Sequence, residues 1–249
     1  MAERTLTYFV SDVHLGCKIK DPVEREARFL RFLRSIPADR TAALYLLGDI
    51  WDFWYEYRDV IPKDAPRVIA ALMDLKDAGV DVCFIRGNHD KWTYRYFEDS
   101  GIRVLEQPCF VEIGGKTFCL GHGDGLGPVD LGYRVLNAVF SSRITQCLFS
   151  SIHPTLSFRL GRGWSESTRK RHIAPYEFRG EDEPLCKFAL ECLKSRHVDY
   201  FIFGHYHTSV DLALPGGAKL MIMKDWIDES PYLYFSGTSV FLGHSINME

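Results

Sequence analysis

The sequence predicts an α/β fold built on a parallel sheet, and three observations carry that expectation. Apolar runs of strand length lie at residues 5–10, 42–47 and 80–85. Segments 22–36 and 65–78 between them have apolar residues at helical spacing, and the runs empty into loops rich in Gly, Asp, Asn and His. A strand-helix-strand-helix-strand order favours parallel pairing, because the crossover helices return each strand in the same direction.

Taken in order, Thr5 to Val10 reads as a buried strand ending at Ser11-Asp12. After Pro22, apolar positions 29, 30, 33 and 36 share one helix face. Residues 42–47 stop at Gly48-Asp49, the helix 65–78 ends at Gly79, and residues 80–85 lead into Gly87-Asn88-His89-Asp90. Residues 108–113 and 116–120 flank Gly114-Gly115, a hairpin signal, and the second strand runs into Gly121-His122-Gly123-Asp124. Residues 129–172 break the rhythm with helix-compatible segments separated by Pro154 and by Gly161 and Gly163. They are too long for a connector and are expected to form an inserted helical cap. A helix at 183–195, a strand at 198–203 ending in Gly204-His205-Tyr206-His207, and a strand pair around Gly216-Gly217 are expected to complete the sheet region.

At 249 residues the chain fits one domain, 1–249, with the cap at about 129–172 as an insertion. Hydrophobic residues at 46% with no low-complexity run supply a core and argue against extensive disorder. A net charge of −3 gives no general attraction to nucleic acid, and none is expected as a partner. The seven cysteines are scattered without a C-x-x-C pair, which argues against a disulfide framework or a zinc ribbon. The opening Met-Ala-Glu-Arg passes straight into a strand-like run, so a cytosolic protein is expected.

The chemistry is concentrated in five strand-end loops: Asp12-Val-His14, Gly48-Asp49-Ile-Trp-Asp52, Gly87-Asn88-His89-Asp90, Gly121-His122-Gly-Asp124 and Gly204-His205-Tyr-His207. Each alone is an ordinary turn with a hydrogen-bonded side chain. Their recurrence at strand ends is the signal, because loops distant in sequence converge beyond the carboxyl edge of such sheets. Asp oxygens and His nitrogens without thiolates suit hard-to-intermediate divalent ions. An Asp can bridge two ions, and the glycines before Asp49, Asn88, His122 and His205 would permit tight turns that present those side chains. Two metals about 3.5–4 Å apart activate water and neutralise phosphoryl charge without a side-chain nucleophile.

The series D-x-H, G-D-x-x-D, G-N-H-D, G-H-x-D and G-H-x-H over residues 8–210 resembles the calcineurin-like metallophosphoesterase superfamily. The resemblance implies a two-sheet β-sandwich flanked by helices, four layers in α-β-β-α order. It also implies Asp12, His14, Asp49 and His207 on one metal, and Asp49, Asn88, His122 and His205 on the other, with Asp49 bridging. By the same resemblance His89 would stabilise the transition state or protonate the leaving oxygen, oriented by Asp52, with Asn88 beside it.

Tyr8 to Cys17, Leu46 to Trp54 and His122 to Tyr133 look like the UDP-2,3-diacylglucosamine pyrophosphatases of lipid A synthesis. That family releases UMP and 2,3-diacylglucosamine 1-phosphate (lipid X), uses manganese, and is cytosolic and peripheral on the inner membrane. The resemblance places Asp130, Tyr133, Arg169 and Lys170 at the substrate. Its best-known members carry Arg where this chain has His89, so a general metallophosphoesterase acting on another phosphodiester or nucleotide is the alternative. Residues 129–173 hold seven Lys/Arg against two acids, a local +5 on a remainder of −8. With Phe140, Leu148, Phe149, Ile152, Leu156, Phe158 and Trp164 in the same stretch, the segment suits either acyl chains and anionic headgroups or a small core of its own. Trp51, Trp54 and Tyr55 are placed either to wall the site or to pack in the interior.

Overall fold

A computed structural model describes residues 4–171 and 176–245, with the side chains of residues 168–171 outside that description. Arg169 and Lys170, expected at the substrate, are among these side chains and lie outside the described residues.

The chain opens with strand β1 (Leu6–Val10), helix α1 (Pro22–Ser35), β2 (Thr41–Leu47), α2 (Pro66–Asp77) and β3 (Asp81–Ile85), as the apolar pattern predicts. Helix α1 begins where Asp21 accepts the backbone N–H groups of Val23 and Glu24 at 3.1 and 3.0 Å, with Pro22 at the position where a missing N–H costs nothing. A short helix α3 (Tyr96–Asp99) and β4 (Arg103–Leu105) follow, both too brief to leave a periodic signature. The hairpin of β5 (Cys109–Ile113) and β6 (Lys116–Leu120) turns on Gly114 and Gly115, whose φ values of 55° and 74° suit a tight two-residue connection.

The cap consists of α4 (Leu131–Ser141), α5 (Arg143–Ser150) and α6 (Pro154–Arg171). Pro154 opens α6, but Gly161 and Gly163 do not divide it, contrary to expectation. A Cβ on Gly161 would lie 2.2 Å from the Phe53 ring, so this glycine lets the helix seat on the body. Helix α7 (Pro184–Leu193) leads to β7 (Tyr200–Phe203), β8 (Val210–Ala213) and β9 (Lys219–Ile222). The sheet region does not end there: β10 (Pro231–Phe235) pairs antiparallel with β1, and β11 (Val240–His244) pairs antiparallel with β10 at the sheet edge.

The strands form two mixed sheets, ordered β11-β10-β1-β2-β3-β4 and β5-β6-β7-β9-β8. The expected parallel set β1 to β3, extended by the parallel β4, is the larger part of the first sheet. Phe9, Tyr45, Leu47 and Ile85 face Phe118, Leu120, Ile202 and Met221 between the sheets. On the outer face of the first sheet, Tyr8, Val10, Leu44 and Phe84 pack on α1 and α2, whose Phe29, Phe32, Leu33 and Leu72 are fully buried. Each such side chain contributes about 1.5–3 kcal/mol of burial. Helix α7 covers the second sheet through Leu185, Cys186 and Ala189. The result is the four-layer α-β-β-α order, and strands buried on both faces explain why β1 to β3 read as continuous apolar runs.

The cap's aromatics divide between two roles. Phe149 packs on Tyr55 and Trp92, and Phe158 on Phe53 and Tyr57, fastening the insertion to the body. Leu131, Ile144, Leu148, Leu156 and Trp164 remain exposed. Trp51 and Trp54 lie in the core against Phe97 rather than walling the site, and Tyr55 reaches the cap through its hydroxyl, which donates to the Gln146 carbonyl at 2.8 Å. All seven cysteines are free thiols.

Candidate metal centre

All five loops leave the carboxyl ends of strands. β1 runs into Asp12 and His14, β2 into Asp49 and Asp52, β3 into Asn88, His89 and Asp90, β6 into His122, and β7 into His205 and His207. Parallel pairing within each sheet aligns these ends, and main-chain bonds tie the loops across the edge: Asp12 donates to the Gly48 carbonyl, His14 to that of Asp49, and Gly204 to that of His122.

The backbone is forced into an unusual shape here. Asp12, His14, Asp49, His205 and His207 hold φ values of 54°, 51°, 53°, 71° and 52°. Non-glycine residues seldom adopt this left-handed region, and strain of order 1–3 kcal/mol each persists only where neighbours over-determine it. Asp90 is the chief restraint: its buried carboxylate accepts the N–H groups of Gly87 (2.8 Å), Asp49 (3.1 Å), Ile50 (2.8 Å) and Trp51 (3.3 Å). Gly87 and Gly204 serve close approach rather than turn geometry. A Cβ on the first would sit 2.2 Å from Asp49 Oδ1, and on the second 2.1 Å from Asp12 Oδ2.

Hydrogen bonds set the imidazole tautomers. His122 Nδ1 lies 2.9 Å from the Leu47 carbonyl, which can only accept, so the proton is on Nδ1 and the Nε2 lone pair faces inward. It meets Asp49 Oδ2 at 3.4 Å and Asn88 Oδ1 at 3.2 Å. His207 repeats the device: Nδ1 pairs with Asp225 at 3.0 Å, leaving Nε2 towards Asp12 Oδ1 (3.3 Å) and His14 Nε2 (3.2 Å). His14 Nε2 is also 3.6 Å from Asp12 Oδ1 and 3.9 Å from Asp49 Oδ2. Asp12 Oδ1 is buried without a hydrogen bond. Carboxylate oxygens and imidazole Nε2 atoms converge here, and protons drawn onto His122 and His207 balance the acids until a divalent cation takes their place, so the residues fit divalent metal.

Among the described residues three groups bring ligand atoms close enough to hold an ion: Asp12, His14 and His207; Asp12, Asp49 and His122; and His14, Asp49 and His89. Asp49 stands in two of them. The His205 ring packs on His122 with centroids 5.1 Å apart, and its backbone N–H donates to Asp12 Oδ2 at 3.0 Å, but its nitrogens join none of these groups.

Electrostatics follow the same convergence. Burial disfavours the charged form of Asp49, yet His122, His89 and His14 around it hold its carboxyl far below the usual range. Asp12 behaves alike under His14 and His207. Burial opposes protonation of His207, but Asp12 and Asp225 push it up to about 10. His205, buried beside His122, falls to about 4. Burial and the neighbouring Asp49 charge push Asp90 up to about 7.

Asp52 meets His89 through its main chain rather than its carboxylate. The His89 Nδ1 lies 2.8 Å from the main-chain carbonyl of Asp52, leaving Nε2 at 3.9 Å from Asp49 Oδ2. The Asp52 carboxylate instead approaches His14 Nδ1 (3.6 Å) and accepts the Ser165 hydroxyl of the cap at 3.0 Å. Asp90 sits in a motif, but nothing marks it as the carboxylate that shapes two loops. Asp225 and Ser165 come from segments without a motif, and only the folded chain brings them here.

Two cavities flank the centre. One of about 420 Å³ reaches His205 and Gly123 and is lined by Asp130 and Tyr133. Of the four residues expected at the substrate, these two therefore line one cavity, with Asp130 accepting the Tyr133 N–H at 2.8 Å and the Tyr133 hydroxyl donating to Asp124 at 2.9 Å. The second, of about 870 Å³, reaches Asp52 and lies beneath α6, between Phe158, Arg159 and Arg162 on the cap and Ile19, Val60 and Ile61 on the body.

A family profile described as calcineurin-like phosphoesterase matches residues 6–209. A UDP-2,3-diacylglucosamine hydrolase of Porphyromonas gingivalis is 34% identical over 99% of this chain and 100% of its own. One from Stenotrophomonas maltophilia is 32% identical over 91% of this chain and 93% of its own. The fold is also that of a dimetal phosphatase from Danio rerio, with a TM-score of 0.52 at 15% identity over 97% of this chain and 96% of that one. With its converged Asp and His residues and the profile match across most of its length, this chain is a metal-dependent hydrolase that belongs to the calcineurin-like phosphoesterase family.

Proposed function

We propose that the protein hydrolyses the pyrophosphate bond of UDP-2,3-diacylglucosamine to UMP and 2,3-diacylglucosamine 1-phosphate, using two divalent ions for which manganese is our choice. The observation that carries this is Asp49 Oδ2, which faces His122 Nε2 at 3.4 Å and His14 Nε2 at 3.9 Å, between a polar cavity and a larger, partly apolar one. The hydrolases named above supply the substrate.

In this reading Asp12, His14, Asp49 and His207 would hold one ion, and Asp49, Asn88, His122 and His205 the other. When bound, such ions would supply a nucleophile from water at neutral pH and neutralise charge on the phosphoryl oxygens. His89 provides the mobile proton: with Nδ1 committed to the Asp52 carbonyl, Nε2 is the atom that gains or loses it. Asp52 positions His89 through that carbonyl, and Asn88 places it one residue from a metal ligand. Asp130 and Tyr133 line the substrate path.

The cap receives the acyl half. No helix among the described residues is long and apolar enough to cross a membrane. The exposed Leu131, Ile144, Leu148 and Trp164, with the cap's excess of Lys and Arg, suit peripheral contact with the cytoplasmic face of an inner membrane.

The test is turnover of UDP-2,3-diacylglucosamine with manganese beside a simple aryl phosphodiester. UMP and the acylated sugar phosphate are the expected products. Cleavage of the aryl diester alone would overturn the substrate and favour the alternative, a general phosphodiesterase, to which His89 in place of Arg points.

A further inference from the structure

The 420 Å³ cavity beside His205 has a chemistry of its own that the metal centre does not use. Its volume is within the roughly 300–1,000 Å³ of small-molecule sites. Two cations and two carboxylates line it: Arg179 and Lys187, Asp130 and Asp182. Such a balance does not suit an isolated phosphate, which favours a surplus of cations. It suits a neutral polar ring and its sugar, with Arg179 and Lys187 donating to ring carbonyls and the carboxylates accepting from sugar hydroxyls.

The wall is preorganised. Tyr206 lines the cavity and is stacked on Tyr176, ring centroids 4.7 Å apart and planes 10° from parallel, a flat face against which a base can lie. Arg179 is held by Glu183 at 3.2 Å, and the fully buried Glu183 also accepts the Tyr176 hydroxyl. One carboxylate thus fixes both the aromatic support and the cation. Lys187 is held at 3.1 Å by Asp182. Because His205 and Gly123, from two of the metal-centre loops, are among the lining residues, a group seated here can direct its phosphate towards the metal edge.

We propose that this cavity binds the nucleoside of a pyrimidine nucleotide, placing the uridine half of the substrate on the side of the centre opposite the cap cavity. The assignment rests on the substrate proposed above, and it adds Arg179, Lys187 and Tyr206 as specificity determinants. A pyrimidine ring stacks on Tyr206, its carbonyls accept from Lys187 and Arg179, and the ribose hydroxyls donate to Asp130 and Asp182.

Calorimetry on the full-length, manganese-loaded protein tests it with two ligands, UMP and 2,3-diacylglucosamine 1-phosphate. Lys187→Glu, at a half-exposed position, is expected to weaken UMP on the order of tenfold and the acylated sugar phosphate less than about twofold. Arg179→Gln, with a melting curve to verify folding, is expected to act in the same direction. Unchanged UMP affinity in a folded Lys187→Glu variant overturns the cavity assignment, as does equal loss of both ligands. If the wild type turns over the acylated UDP-sugar and only the variant prediction fails, the cavity alone is wrong. If it neither turns over that substrate nor binds UMP, both readings fall.

Discussion

Asp90 Oδ1 accepts the backbone N–H of Asp49 at 3.1 Å, so a carboxylate outside the ligand groups fixes the residue at their centre. The same side chain takes three further N–H groups from two loops, which holds Asp49 in its left-handed conformation. Asp90→Ala would leave these donors buried and unpaired. A loss of about 3 kcal/mol or more is expected, a fall in Tm of roughly 6–12 °C for a chain of this size, together with weaker metal retention. Thermal melting checks this, and a variant melting at the wild-type temperature would remove Asp90 from its role.

His89 holds its ring through the Asp52 carbonyl and, although it shares one ligand group with His14 and Asp49, acts in the proposed mechanism on the proton rather than the metal. His89→Ala is therefore expected to lower kcat by about 10²–10⁴ while both ions remain bound. Steady-state kinetics with metal analysis on one preparation separate proton transfer from ligation. Loss of an ion would make His89 a ligand instead.

The cap seats on the body where Gly161 meets Phe53. Gly161→Val drives a side chain into that ring, and overpacking of this kind costs about 1–3 kcal/mol. Faster tryptic cleavage at Arg159 and Arg162 is expected, with a raised KM for an acylated substrate and a smaller change for an aryl diester. Wild-type protease resistance would show that the contact does not hold the cap.

Glu183 gives a pH signature away from the metals. Burial works against its ionisation, and hydrogen bonds from Arg179 and Tyr176 outweigh it, so its folded carboxyl lies below the ordinary value. Its stabilisation is then complete above the unfolded Glu value of about 4.3 and fades as pH falls through the lower folded one. The Tm gap between wild type and Glu183→Gln should be widest near neutral pH and shrink on acidification. A gap independent of pH would contradict the ion pair.

Much of this was legible in the chain because period and chemistry coincide. The runs before Asp12, Asp49, Asn88, His122 and His205 are all strands, and the loops after them meet at one edge. Strands β4, β10 and β11 escaped for local reasons. Arg103–Leu105 is too short to show a period, while β10 and β11 follow the last motif, and β10 joins the sheet by pairing with β1 from more than 200 residues away. Glycine at 161 is a helix breaker by propensity and a packing requirement in fact, because Phe53 is distant in sequence. The support of His207 by Asp225 and of Asp52 by Ser165 is likewise a product of tertiary structure, which no spacing encodes.

Metal content of Asp49→Ala is the most direct test of a shared carboxylate between two ions. Elemental analysis after manganese loading should find about two equivalents per wild-type chain and a near-complete loss at both positions in a folded variant, since Asp49 stands in two of the three ligand groups. Two equivalents retained in Asp49→Ala would contradict the bridge and the phosphoryl chemistry built on it.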